Sequence, residues 1–315
     1  MTGSNQSARR SKVSALSDPF GWFAAGVAWR ARAWSQKARE ATTALGLALR
    51  RGLGFIESET KLIGDSQNYW NDQSDAYLKQ NSHWRGVGKF ADDSRWLALG
   101  RQHLQLYEEF ARVLDIKHPL KRIVEWGCGG GMNAIHFGRL AEEFCGVDIS
   151  SASLEECAKQ MTAAGLRNFT PILINAAAPE AVLACVRGPC DLLISTYVFE
   201  LLPTPEYGLR LLRIACELLT PGGAVIVQIK YSGGDQIAAS RRWAYAKNLA
   251  WNATYKIEEF WQAAERSGFT PMMVKLVPKQ PLVNDRNYAY FLLVKNRALS
   301  QRGSQNGIDG RLVLP

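Results

Sequence analysis

The chain has 315 residues, 47% of them hydrophobic and 21% charged, which predicts a substantial globular core in one large domain or two ordinary ones. The net charge is +9, but residues 1–56 carry nine Lys/Arg against two Asp/Glu, so the remainder is close to neutral. A near-neutral globule with a basic N-terminal arm excludes a nucleic-acid footprint spread over the whole surface.

Residues 1–18 are polar and rich in Ser and Arg, and are expected to be a disordered basic leader. Asp18-Pro19 then reads as a helix cap followed by proline at the first helical position. Phe20, Phe23, Val27, Ala31, Trp34, Ala38, Ala41, Leu45 and Leu49 fall on one face, flanked by Arg and Lys. Such an amphipathic helix over residues 19–51 suits peripheral contact with a membrane surface, or packing on its own domain or a partner. Its longest uncharged apolar run, Phe20 to Trp29, is too short for the ~20 residues that span a bilayer. Residues 52–64, with Gly52, Gly54 and Gly64, read as a linker. Residues 65–118 read as a helical lid, with an aromatic and polar stretch around Tyr69, Trp70, Tyr77 and His83, then a helix from Trp96 to Leu114.

Strict alternation follows. Strands are predicted at 122–126, 144–148, 170–174, 191–195 and 224–230, with helices at 133–143, 153–164, 179–186 and 206–219 between them. After a helix at 256–267, the runs 271–277 and 288–295 are joined by a short loop without a helix, which makes them an antiparallel pair. The expected fold is α/β: a mostly parallel seven-stranded Rossmann-like sheet with an antiparallel last strand, helices on both faces and an N-terminal helical extension. The core is expected over residues 119–298, with a tail over 299–315. The six cysteines form no C-x-x-C pair and read as buried free thiols in a reducing compartment, which points to the cytoplasm; no metal site is expected.

The stretch V-E-W-G-C-G-G-G-M-N-A, Val124 to Ala134, places four glycines in five positions behind a strand that ends in a carboxylate. Missing side chains let a ligand approach the backbone where a strand feeds a helix. The next strand ends in Asp148, about 20 residues on, where a carboxylate can accept from both hydroxyls of a ribose. Gly129, Gly131 and Ala134 also satisfy the dinucleotide fingerprint, so a nicotinamide-dependent oxidoreductase is an alternative. Glu125 argues against it, because a carboxylate there repels a pyrophosphate but suits an ammonium group.

These residues resemble the S-adenosylmethionine-dependent methyltransferases with the seven-stranded Rossmann-like fold, over roughly Arg122 to Lys295. Glu125-x-Gly127-x-Gly129-x-Gly131 resembles the family's first motif, around the methionine end of the cofactor. The resemblance places Asp148 on the ribose and Asn175-Ala176 beside the adenine. It aligns Asp191 to Ser195 with the fourth-strand motif, with Ser195 at the cofactor. Tyr69 and Trp70 are expected to line the cofactor from the lid. Val198 to Pro203, V-F-E-L-L-P, is similar to a stretch of ubiquinone-type O-methyltransferases, but Leu201 stands where those have His, so that subfamily's activity is not carried over.

Methyl transfer needs alignment and a dry pocket, and a base only where the acceptor must lose a proton. His83 and Glu200 are the candidate catalytic residues, and Arg241, Arg242 and Trp243, in the insertion after the fifth strand, are candidate substrate residues. The resemblance implies S-adenosyl-L-methionine as cofactor and a small-molecule, lipid or glycan acceptor, with O-methylation foremost and no nucleic acid. A non-catalytic adaptor acting through the N-terminal helix is the alternative from another class.

Overall fold

A computed structural model describes residues 56–74, 76–77, 83–232 and 239–297, together with Thr42, Leu45, Gly46 and Leu49, four helical positions near the N-terminus. The expected leader, nearly all of the amphipathic helix and the C-terminal tail lie outside the described residues, as do residues 233–238 of the insertion. The chain divides into two units, 1–54 and 55–315, and everything below concerns the second.

Helix α1, Glu59–Trp70, begins where the Ser58 side chain accepts from the Lys61 N–H. The stretch read as a linker is therefore helical from Glu59. A good cap and the burial of Leu62 outweigh the cost of about 1 kcal/mol for Gly64 in a helix interior. Helix α2, Asp93–Leu114, is capped by Asp92 and buries Trp96, Leu99, His103, Leu106, Tyr107 and Phe110 along one face.

Strand β1 (Leu120–Trp126) is buried at every position but one, which marks a central parallel strand. A single-turn helix α3, Ala134–Phe137, runs into a tighter turn at Gly138–Leu140, and β2 (Ala141–Asp148) starts at once. The predicted helix to Glu143 is thus too long; Glu143 instead receives the Arg122 guanidinium across the strands at 2.7 Å. Helix α4 (Ser151–Ala163), β3 (Phe169–Leu173), a short α5 (Val182–Cys185) and β4 (Cys190–Ser195) follow. Helix α6, Pro205–Leu218, has Thr204 as its cap and proline at N1. Strand β5 spans Leu219–Lys230, with a register slip between its first residue and Ala224 that absorbs the predicted Pro-Gly-Gly turn. Helix α7 (Ile257–Arg266), β6 (Phe269–Gln280) and β7 (Asp285–Lys295) are the last described elements, and the predicted ten-residue loop between the two strands shortens to 281–284.

The sheet has seven strands in the order β3-β2-β1-β4-β5-β7-β6. Only β7 runs against the rest, paired antiparallel to both β5 and β6. Strand alternation sends Val124 to a core with α6 and α7, and its neighbour Ile123 to a core with α2 and α4. The order reverses between β1 and β4, which opens a crevice at their carboxyl ends.

Helix α1 is fixed above that crevice by one buried phenol. Tyr245 accepts from Ser66 Oγ at 3.1 Å and from Trp70 Nε1 at 2.8 Å, and donates to the Leu201 carbonyl at 2.6 Å. Tyr245→Phe strands three partners, the buried Ser66 among them, and is expected to cost about 1–3 kcal/mol in chemical denaturation. Hydrogen exchange should speed up in α1 while β1, β4 and β5 keep their protection.

Candidate active site

The glycine loop serves two neighbours. Gly127 and Gly129 have φ of 72° and 50° and line a cavity of about 760 Å³ at the crevice. Gly130 makes room for protein: a Cβ there would meet Trp84 at 2.9 Å and the His83 carbonyl at 3.0 Å. The segment carrying His83 is thus strapped across the loop, and Trp96 Nε1 holds it by donating to the His83 carbonyl at 3.2 Å.

Asp148 lines this first cavity. Its carboxylate accepts from the Gly129 N–H at 2.9 Å and the Ser150 N–H at 3.0 Å, while burial raises its pKa against the pull of those bonds. Glu125, 2% exposed, is buried near the end of β1 and lines neither cavity. One of its oxygens accepts from Asn133 Nδ2 at 2.6 Å, and the other is buried with no hydrogen-bond partner. Burial pushes its carboxyl up to about 8, with the Asn133 bond acting in the opposite direction. Ile149, Ile174, Ala176 and Leu202 supply apolar wall, and the lining contains no Lys or Arg. Such a donor and acceptor set fits a nucleoside with a cationic amino-acid end and offers nothing to counter a pyrophosphate.

A second cavity of about 820 Å³ adjoins the first, and the two share Trp70, His83, Tyr197 and Leu201. Tyr69, Trp70, Phe90, Tyr197 and Tyr288 give it an aromatic lining, with Lys89, Glu200 and Asp285 among its polar groups. Tyr197 stands at φ 56°, in the left-handed region that bulky residues rarely adopt, and its backbone N–H donates to Gln228 Oε1. Glu200 is 3% exposed, and burial lifts its carboxyl to about 7 against the pull of the Lys230 ammonium. Gln228 Nε2 reaches it at 3.5 Å. Lys230 is fully buried, bonded to both Asp285 oxygens at 2.7 Å and facing the Trp251 ring at 4.1 Å. Burial depresses the His83 imidazole to about 4, so it stays neutral at ordinary pH.

The structure gathers Gly127, Gly129, Asp148, Ala176, Trp70 and His83 at the first cavity, and Tyr69, Trp70, His83 and Glu200 at the second. Other predicted residues are elsewhere. Gly131 is pressed against Cys157 of α4. Asn175 is exposed and folds back, its Oδ1 accepting from the Ala177 N–H at 2.8 Å. Ser195 is buried and bridges β4 to β1 by donating to the Trp126 carbonyl at 3.2 Å; the next residue, Thr196, takes the cavity position. Arg241 bonds Asn248, Arg242 pairs with Glu206 at 3.3 Å, and the Trp243 carbonyl accepts from Asn248. None of the three lines either cavity; from the insertion, Leu249 and Ala250 do. Gln67, missed in the sequence, bridges the ends of β2 and β3 by donating to the Ile149 carbonyl at 3.1 Å and accepting from the Ala176 N–H at 2.7 Å. Among the described residues, no group of three or more His, Cys, Asp or Glu could hold a metal, and no helix is long and apolar enough to cross a membrane.

The profile of a family described as a methyltransferase domain matches residues 99–273, more than half of the chain. The chain belongs to the class I S-adenosylmethionine-dependent methyltransferases. The methyltransferase is 32% identical over 106 residues to a ubiquinone biosynthesis O-methyltransferase of Caulobacter sp. (strain K31), a match covering 34% of this chain and 39% of the relative. A ubiquinone biosynthesis O-methyltransferase of Cupriavidus pinatubonensis (strain JMP 134 / LMG 1197) is 30% identical over 108 residues, covering 34% of this chain and 40% of that one. The chain thus spans about two fifths of the length of the curated relatives it matches. The magnesium protoporphyrin IX methyltransferase of Synechocystis PCC 6803, solved with bound S-adenosylhomocysteine, shares the fold at a TM-score of 0.52 and 15% identity, over 75% of this chain and 100% of that one. The family's cofactor is S-adenosyl-L-methionine, and the unpartnered oxygen of Glu125 and the Asp148 carboxylate suit its ammonium and its ribose.

The Glu125 carboxyl has a direct consequence for stability. Unfolded, it titrates near 4.5; folded, at about 8. Below that window both states hold the proton and its charge costs nothing. Within it only the unfolded chain has released the proton, so folded stability falls as pH rises, by up to about 1.4 kcal/mol per pH unit. Glu125→Gln removes this titration. The ligand-free variant is expected to melt above the wild type at pH 8, by roughly 1–3 kcal/mol in stability, and with no gain near pH 4. A lower melting temperature at pH 8 would contradict the assignment.

Proposed function

We propose that this methyltransferase moves a methyl group from S-adenosylmethionine to a hydroxyl oxygen of a small aromatic acceptor held in the second cavity. The observation that carries the reading is the wall shared by the two cavities, at Trp70, His83, Tyr197 and Leu201. A donor in one and an acceptor in the other would face each other there, away from bulk water.

In this reading Asp148 holds the ribose hydroxyls, Glu125 faces the ammonium, and Gly127 and Gly129 let the ligand lie against the backbone. The bound cofactor supplies a methyl group already activated as a sulfonium. The chain's own part is to align the acceptor and receive its proton. The aromatic lining from Tyr69 to Tyr288 suits a flat ring. Glu200, lifted to about 7, is the better base; His83, near 4, is too weak to take a phenolic proton and instead helps close the shared wall. The proton of the acceptor hydroxyl passes to the Glu200 carboxylate as the oxygen gains its methyl group. The lid reading of residues 65–118 is supported by Tyr69, Trp70, His83, Lys89, Phe90 and Leu99, all of which line the second cavity. Transfer to oxygen is also the activity for which the ubiquinone relatives are named, although Leu201 departs from their pattern.

Purified protein with S-adenosylmethionine and a panel of phenols and catechols is expected to form S-adenosylhomocysteine. Glu200→Gln should lower kcat by about 10²–10⁴ and leave S-adenosylhomocysteine binding intact. For the wild type, the base must be unprotonated to act, so kcat/KM should rise about tenfold per pH unit to near pH 7 and level off above it. Turnover of amines but of no hydroxyl compound would overturn transfer to oxygen. An unchanged kcat in Glu200→Gln would remove Glu200 as the base.

A further inference from the structure

We infer that His103 is a positioning residue for the amino-acid end of the cofactor, acting through Asn133 on Glu125. The inference rests on the cofactor reading of the first cavity and adds a residue that lies outside both cavities.

The geometry is a closed set of buried hydrogen bonds. Asn133, 3% exposed, uses both hydrogens of its side-chain amide, one to Glu125 Oε1 at 2.6 Å and one to Thr196 Oγ1 at 2.9 Å. Its side-chain oxygen faces His103 Nδ1 at 2.8 Å, and His103 is also 3% exposed. An amide oxygen can only accept, so Nδ1 carries the hydrogen. Nε2 is then bare and receives the Tyr290 hydroxyl at 3.3 Å. The imidazole is clamped by the Tyr197 ring at 5.5 Å and the Tyr290 ring at 5.8 Å. Burial keeps it neutral, so it contributes orientation and no charge.

An asparagine amide is nearly symmetric in shape, and only its partners decide which end is oxygen. Glu125 and Thr196 are both satisfied by the nitrogen end; His103 is the donor that pins the oxygen end away from them. Without that donor the amide can turn over and aim its oxygen at the Glu125 carboxylate. Two acceptors then face each other in a buried space, and the carboxylate moves or keeps its proton. Either result weakens its hold on an ammonium group. The effect is greatest at the amino-acid end, because Glu125 is in this set of bonds while Asp148, Ile149 and Ala176 share no hydrogen bond with it; Thr196 and Tyr197 are the members that also line the cavity.

The test compares two ligands by calorimetry: S-adenosylhomocysteine, and 5′-methylthioadenosine, which has no amino-acid end. His103→Leu is expected to weaken the first by about tenfold or more and the second by less than about twofold. His103→Asn, whose amide can offer an N–H near the place of Nδ1, should restore most of the loss. His103→Gln keeps a polar contact toward Tyr290 but not the donor to Asn133, and gives the same comparison if the leucine variant does not fold. Equal losses for both ligands would mean a merely structural role and would overturn the inference, as would full affinity in His103→Leu. A wild-type protein that binds neither ligand would instead remove the cofactor reading on which the inference stands.

Discussion

A carboxylate placed out of reach of water costs several kcal/mol unless charge or hydrogen bonds offset the loss of hydration. Glu125 sits near the end of β1 in that position, with one oxygen held by Asn133 and the other without a partner. The fold spends stability to keep it there, and the surrounding parts are arranged around that cost. Asn133 ties it to the start of α3 and to Thr196. His103 and Tyr290 extend the same set of bonds to α2 and β7. An unfilled acceptor at the switch point of a parallel sheet makes sense once a ligand brings a cation to it.

The two cavities divide the chemistry by polarity. The first combines the Asp148 carboxylate with apolar walls and no Lys or Arg. The second is aromatic, with buried Lys230 paired to half-buried Asp285 near Glu200. The Lys230 ammonium offsets part of the burial that lifts Glu200, while the Asp285 carboxylate of the same pair acts in the opposite direction. Tyr197, in its strained backbone conformation, stands between the two sites. Helix α1 is anchored beside both: Gln67 clips the ends of β2 and β3, and Tyr245 joins α1 to the residue after Glu200.

The sheet was legible because its signals are local. Buried parallel strands read as short apolar runs, each followed by helical periodicity, and the loss of the helix before β7 announced the antiparallel pair. The cavity residues Gly127, Gly129 and Asp148 were legible for the same reason, as strand ends next to glycine. Where the reading failed, orientation decided. At strand ends successive side chains point to opposite faces, so Ser195 binds the Trp126 carbonyl while Thr196 faces the ligand space, and Asn175 turns outward while Ala176 lines the wall. Arg241 and Arg242 looked like anion holders, but Asn248 and Glu206 engage them locally. His103 left no sequence signal: it lies in the middle of an amphipathic helix, and its partners Asn133 and Tyr290 are 30 and 187 residues away.

The most direct test is calorimetric titration of S-adenosylhomocysteine in two buffers of different ionisation enthalpy near pH 7, with wild type and Glu125→Gln. The account predicts saturable binding to the wild type with release of most of one proton, because an ammonium group converts Glu125 from its protonated to its ionised form. The variant should lose that release. Binding with no proton release, or release unchanged in Glu125→Gln, would contradict the role given to Glu125, and an absence of binding would contradict the cofactor site itself.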